Sequence, residues 1–392
     1  MNAPIPLEEV LRVNADTRKA TIGLPASESA GDHRFPLTPE GAGQLVERGF
    51  RVLMQHGGAA HIHYTDEAYA RCGVELVERA EALGADIIVY LAAPSGADSR
   101  LIKRGALLLT FMQPTDGIRL QLEMLLRRHV IVLDLGRILD EHGNRPFADI
   151  LREIDGRAAI AVASSLLADA VHGKGILLGG VAGVIPCEVV TIGADMAACA
   201  AARSAIGLGA TVRIFDNDVY RLRDALLQLG PGVTGSSLHP RVFENALRSA
   251  DIIVATDIQS RHAIIGADMT QLLKRGVICF DLTKHPGDAF PSLQTIDLDL
   301  ASPSDNDPSV PGRLCYINAG NAVPRTVAMA LSNTFTAMLD DILVCDGVAN
   351  ALKLNNGLRR AAILFLGKCV DPDTARVLGV RPVDINLFLQ FS

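Results

Sequence analysis

The chain has 392 residues with 49% hydrophobic content, enough for the cores of two domains, and its formal net charge of −7 leaves no electrostatic footprint for nucleic acid. Seven scattered cysteines, odd in number and without C-x-x-C spacing, fit a reduced cytoplasmic compartment and argue against zinc. Neither a secretory leader nor an apolar run of membrane length is read, so the expectation is an acidic cytoplasmic protein with no membrane partner.

Residues 18 to 135 alternate short apolar runs with helical patterns. Ala20–Leu24, Arg51–Met54, Asp86–Leu91, Ala106–Met112 and Val130–Leu135 read as strands. The runs are continuous rather than alternating, which indicates parallel strands covered on both faces. Between the first two, Thr38 suits a helix N-cap, Pro39 the first helical position and Gly49 the end. Residues 146 to 172 read as one long helix joining two domains, followed by a glycine-containing loop over 173–183. A second set of strands follows at 188–192, 211–215, 250–255, 276–281 and 313–317. Helical segments at 197–208, 219–229, 241–249 and 267–275 separate them, which is doubly wound α/β grammar. After Pro324-Arg325-Thr326, Val327 to Leu343 reads as a helix returning to the first domain. The expected fold is therefore two Rossmann-like α/β domains with parallel sheets and a cleft between them.

The second set opens on a damaged dinucleotide-binding fingerprint. An intact one runs strand, then G-x-G-x-x-G/A opening a helix, then an acidic residue about 20 positions on. Here Gly193 is the first glycine, Ala198 an accepted third position, and Asp216 the ribose-binding carboxylate. The second glycine is replaced by Asp195, which brings bulk and negative charge to the place of the pyrophosphate. The fold signal survives, while binding of NAD is expected to be weakened or absent.

With the fingerprint preceded by Gly173–Val184 and followed by Val323-Pro324-Arg325-Thr326, the chain resembles the alanine dehydrogenase and pyridine nucleotide transhydrogenase alpha-subunit family. Other carriers of the resemblance are Gly31 to Gly41, Glu153-Ile154-Asp155-Gly156-Arg157, Asn318 and Asp384 to Phe391. It implies a substrate domain of residues 1–148 and 326–392, a Rossmann dinucleotide domain of 149–325, and a homo-oligomer. It also implies Arg34 as the arginine for a substrate carboxylate and Asn318 as the asparagine near the nicotinamide. Three chemical positions depart from the family: its lysine falls on Ala92, its proton-transferring histidine on Gln113, and its aspartate on His285. A serine near the pyrophosphate becomes Arg152. Glutamine also stands at the Gln113 position in the transhydrogenase alpha subunit, which works with membrane partners.

Each candidate has a plainer reading beside the functional one. Asp195 suits a helix N-cap, and Arg152 could neutralise it, contact phosphate, or stand exposed on its helix. Arg34 is a fork for a carboxylate or half of a structural ion pair. Asp216 with Asn217 and Asp218 also makes a capping turn. His285 beside Lys284 is a relocated acid/base or a solvated loop residue. Gln113 can hydrogen-bond a substrate but cannot shuttle a proton. No set of histidines suggests a metal. Three functions follow as expectations. One is a divergent NAD(P)-dependent oxidoreductase acting on a small amino acid, 2-oxo acid or imine that carries a carboxylate. A second is a catalytically lapsed relative serving as a binding or scaffold protein, or in non-redox chemistry. The third is alanine dehydrogenase or soluble transhydrogenase activity in the family's form.

Overall fold

The computed structural model describes residues 20–28, 33–112, 114–258, 265–298, 300, 313–344 and 348–389. The first six strands are β1 (Thr21–Leu24), β2 (Arg51–Gln55), β3 (Glu75–Val77), β4 (Ile87–Val89), β5 (Leu107–Thr110) and β6 (Ile131–Asp134). Seven more follow: β7 (Glu188–Ile192), β8 (Thr211–Phe215), β9 (Val233–Ser236), β10 (Ile252–Ala255), β11 (Val277–Asp281), β12 (Gln294–Asp297) and β13 (Arg313–Ile317). β14 (Ala362–Phe365) and β15 (Lys368–Cys369) close the set.

The strands form two sheets, in the orders β15-β14-β6-β5-β4-β1-β2-β3 and β12-β13-β11-β10-β7-β8-β9. Every pair in the second sheet is parallel, and β1 to β6 are parallel among themselves. The added edge differs: β14 runs antiparallel to β6 and forms a hairpin with β15. The two α/β domains with mainly parallel sheets are those expected from the continuous apolar runs. In the second sheet β7 is the first strand in sequence, and the order leaves it in both directions, to β8 and to β10. Such a switch point opens a crevice at the carboxyl ends of the strands.

Helix α1 (Pro39–Glu47) starts as its sequence dictates, with Thr38 Oγ1 accepting the Gly41 amide at 3.2 Å and Pro39 at the first position. Helix α2 (Pro146–Ala168) is shared between the domains. Phe147 and Ile154 belong to the core of the first, while Ala158, Ala159, Ile160 and Ala163 belong to the core of the second. It stops short of the 172 expected because the Asp169 carboxylate takes the amides of Val171 and His172, which turns the chain away. Helix α3 (Met196–Gly207), behind the fingerprint, packs on α2. A Cβ on Gly156 would lie 2.1 Å from the Ala197 carbonyl oxygen, so these helices meet backbone to backbone. Helix α4 (Pro324–Val344) returns to the first domain, where Phe335 packs against Phe147 with ring centroids 4.7 Å apart and the rings tilted by 56°. Burial of each such ring is worth about 1.5–3 kcal/mol.

No helix among the described residues is long and apolar enough to cross a membrane.

Candidate active site

Strand β7 ends at Ile192, and Gly193 turns the chain at φ +98°, a conformation that side chains with a Cβ avoid. Asp195 then caps α3, its Oδ1 accepting the Ala198 amide at 3.0 Å. Its second oxygen, Oδ2, pairs with Arg152 Nη2. The same nitrogen lies 3.4 Å from Asp257 Oδ2, just beyond β10. Arg152 Nη1 donates to the Leu282 carbonyl at 2.6 Å, just beyond β11. One guanidinium thus joins α2 to the fingerprint turn and to two strand ends across the switch point. Burial opposes its charge, but the carboxylates of Asp195, Asp257 and Asp155 outweigh burial and hold its pKa above the ordinary value. Arg152 is therefore not an exposed helix residue, and Asp195 is both a cap and an ion-pair partner.

Asp216 is 1% exposed at the end of β8. Its Oδ2 accepts the Ala194 amide at 2.9 Å and lies 3.4 Å from Arg221 Nη2, while Oδ1 accepts the Asp218 amide at 2.9 Å. The carboxylate braces the fingerprint turn from behind. Capping of the next helix falls to Asp218, whose Oδ1 takes the Tyr220 and Arg221 amides.

The turn, the helix N-terminus and the acidic strand end are all of the kind a dinucleotide uses. The pyrophosphate position is not. There the Asp195 carboxylate already holds a helix amide, so the residues present do not fit a pyrophosphate in this conformation.

Beside this turn, between the domains, lies a cavity of about 120 Å³ that is open to solvent. The first domain contributes Arg34, from the loop ahead of α1. Helix α2 contributes Asp155, one turn beyond Arg152 on the same face. The second domain contributes Asp281, Thr283, Asn318 and Asn321.

These polar groups are held in different ways. Asp281 accepts four hydrogen bonds, from the Thr283 amide and hydroxyl on Oδ1 and from the Gly287 and Ala289 amides on Oδ2. It is a saturated brace for the 282–289 loop. Asn318, in the left-handed region at φ 58°, donates from Nδ2 to Asp297 Oδ1 at 2.8 Å. Asp155 Oδ1 accepts the Gly320 amide at 3.0 Å. Burial pushes the Asp155 carboxyl up to about 6, against the lowering influence of Arg152, the Gly320 amide and Arg34.

The structure brings Arg34 and Asn318 together at one cavity and sets Arg152, Gly193, Asp195, Ala198 and Asp216 around the adjoining turn. His285 is not in this group. Its ring is exposed and outside the cavity lining, although Thr283 and Pro286 line it. Gln113 lies outside the described residues. Ala92 presents only a methyl group, and its carbonyl accepts the Thr110 hydroxyl at 2.9 Å. Asp155 was not singled out as a site residue. Its signal was the i, i+3 spacing from Arg152 on a helix that both domains share. Among the described residues no cluster of His, Cys, Asp and Glu could hold a metal ion.

Comparison with known proteins agrees with the two-domain fold. Residues 23–151 match the family described as Alanine dehydrogenase/PNT, N-terminal domain, and residues 159–372 match Alanine dehydrogenase/PNT, C-terminal domain. The chain is 27% identical over 370 residues to the alanine dehydrogenase of Mycobacterium tuberculosis (strain CDC 1551 / Oshkosh), covering 92% of this chain and 97% of that protein. A solved L-alanine dehydrogenase superposes with a TM-score of 0.78 at 24% identity, over 92% of this chain and 99% of its own. A transhydrogenase from Sinorhizobium meliloti gives 0.73 at 16% identity, over 90% and 99%. The structural likenesses speak for the fold, and the two matched domains between them span most of the sequence. The chain belongs to the alanine dehydrogenase/PNT family, a family of dehydrogenase-type enzymes.

Proposed function

We propose that this protein is an NAD(P)-dependent oxidoreductase acting on a small amino acid, 2-oxo acid or imine, whose carboxylate is held by Arg34 in the cavity between the domains. The observation that supports this reading most directly is the convergence of Arg34, Asp155, Asn318 and Asn321 on one cavity beside the fingerprint turn. A planar guanidinium suits a carboxylate in two-pronged fashion. The amides of Asn318 and Asn321 can orient a substrate but cannot carry its proton. Cofactor binding is weak in this reading, because Asp195 must give up its helix amide and Arg152 before a pyrophosphate can settle there. Isothermal titration with NAD(H) and NADP(H), followed by a screen of 2-oxo acids and amines, tests the proposal. No dinucleotide binding at millimolar concentration would overturn it.

A second reading is supported by the Arg152–Asp195 pair itself. A protein that fills its own anion site with a buried ion pair is suited to a lapsed, non-redox role, as a binding or scaffold protein. The same titration separates the two readings.

A further inference from the structure

We propose that Asp155 is the catalytic proton carrier of the inter-domain cavity, exchanging a proton between its carboxyl group and the amino, hydroxyl or oxo group of a substrate held by Arg34. The inference rests on the carboxylate-binding reading above and adds to it the group that does acid–base work.

The family's histidine and aspartate positions hold Gln113 and His285, and His285 is exposed outside the cavity. Among the described residues lining the cavity, the titratable ones are Arg34, Asp155 and Asp281. An arginine stays protonated at any working pH. Asp281 spends both oxygens on four hydrogen bonds, which fix it and leave neither oxygen for a substrate. Asp155 differs. Its Oδ1 takes the Gly320 amide at 3.0 Å, and its Oδ2 carries no hydrogen bond among the described residues. The approach to Gly320 is close by construction, since a Cβ there would stand 2.4 Å from Asp155 Oδ1. One oxygen is clamped and the other is left for exchange. The charged groups acting on it are Arg152 and Asp195 on the nucleotide side and Arg34 across the cavity. Burial places the group near 6, close to working pH, where a carboxyl both gives and accepts protons efficiently.

The step balances by itself. When the carboxylate acts as base, an N–H or O–H bond of the substrate breaks and an O–H bond forms on Asp155. The bonding pair stays on the substrate nitrogen or oxygen.

The test has two arms. In the first, infrared difference spectra of the parent against Asp155→Asn follow the carboxyl band through acid and neutral pH without ligand. A protonated carboxyl that ionises with a midpoint near 6 is expected. A group ionised throughout overturns the proposal. In the second, oxamate is titrated into the parent, Asp155→Asn and Arg34→Met, with and without NADH, in buffers of different ionisation enthalpy. The parent should take up a proton on binding above its midpoint. Asp155→Asn should bind oxamate without that uptake, and Arg34→Met should lose at least about thirtyfold in affinity. Binding by Asp155→Asn with the parent's proton uptake overturns the Asp155 assignment alone. Absence of oxamate binding in all three proteins, with and without NADH, overturns the Arg34 reading and the proposal with it. Gly320→Ala serves as a second variant. Loss of the Gly320 clamp should shift the infrared midpoint, and an unmoved midpoint counts against the proposal.

Discussion

Arg152 and Asp195, 43 residues apart in sequence, form an ion pair across the mouth of the nucleotide fold, with side chains 23% and 20% exposed. Both are charged replacements of small family residues, and they face each other. Removing Arg152 leaves a largely buried carboxylate with its cap amide alone. Arg152→Ser should therefore lower unfolding stability by about 1–3 kcal/mol in urea titrations. Adding Asp195→Gly should restore most of the loss, since glycine is a tolerable cap that costs only a few tenths of a kcal/mol. Additive losses in the double variant would refute the coupling.

The same pair governs the affinity for a dinucleotide. A carboxylate about 4 Å from a phosphate costs about 4 kcal/mol at an effective dielectric near 20, or roughly a thousandfold in affinity. Asp195→Gly should tighten NAD binding, up to that factor. Equal dissociation constants for the variant and the parent, measured by calorimetry, would show that the carboxylate does not compete with the cofactor.

Oxidation of L-alanine is expected to be poor. Ala92 and Gln113 stand where the family's lysine and histidine belong, and loss of one general acid–base group costs about 10²–10⁴-fold. A steady-state assay with L-alanine and NAD should fall far below an ordinary turnover of about 10 s⁻¹. Ordinary turnover would mean that other residues supply both functions with alanine itself.

Asp155 carries a signature in stability as well as in binding. Its folded pKa is raised from 3.8 to about 6, first by burial, with Arg152, the Gly320 amide and Arg34 opposing. Between these two values the native state keeps a proton that the unfolded chain has released. Stability therefore falls as pH rises through this window, and the loss is complete above it. Asp155→Asn lacks the loss, so it should gain stability relative to the parent between about pH 4 and about pH 7. Parallel curves of urea midpoint against pH for the two proteins would be inconsistent with a raised Asp155.

Much of the architecture was legible because strands buried along most of their length write continuous apolar runs. Ile252–Ala255 and Val277–Asp281 are examples, and both fall within the segments expected. The strands that escaped notice carry weaker signals. Val233–Ser236 and Gln294–Asp297 lie at sheet edges, with exposed polar residues in place of an apolar run. Glu75–Val77 has three residues and no buried one. Ala362–Phe365 is buried throughout and bounded by Arg360 and Gly367, so its run was available to be read. At the site, Asp195 was legible as a cap because a single helix start determines it. The partnership of Arg152 with Asp257 and the Leu282 carbonyl depends on strand ends brought together only by the sheet order, which no local pattern contains. Helix 267–275 was expected from its pattern and spans only Ala267–Thr270, ending well ahead of Gly276 at φ 71°.

The backbone contact at Gly156 fixes one wall of the cavity to the helix behind the fingerprint. With α2 seated on α3 at that point, the side chains of Arg152 and Asp155 are tied to the second domain through Leu282 and Gly320, while Ile154 between them packs in the core of the first. Arg34 is anchored to the first. On the proposed reading, the two walls of the cavity would meet opposite ends of a substrate, Arg34 its carboxylate and Asp155 its reacting group, so the spacing between them would set the length of molecule that the cavity accepts.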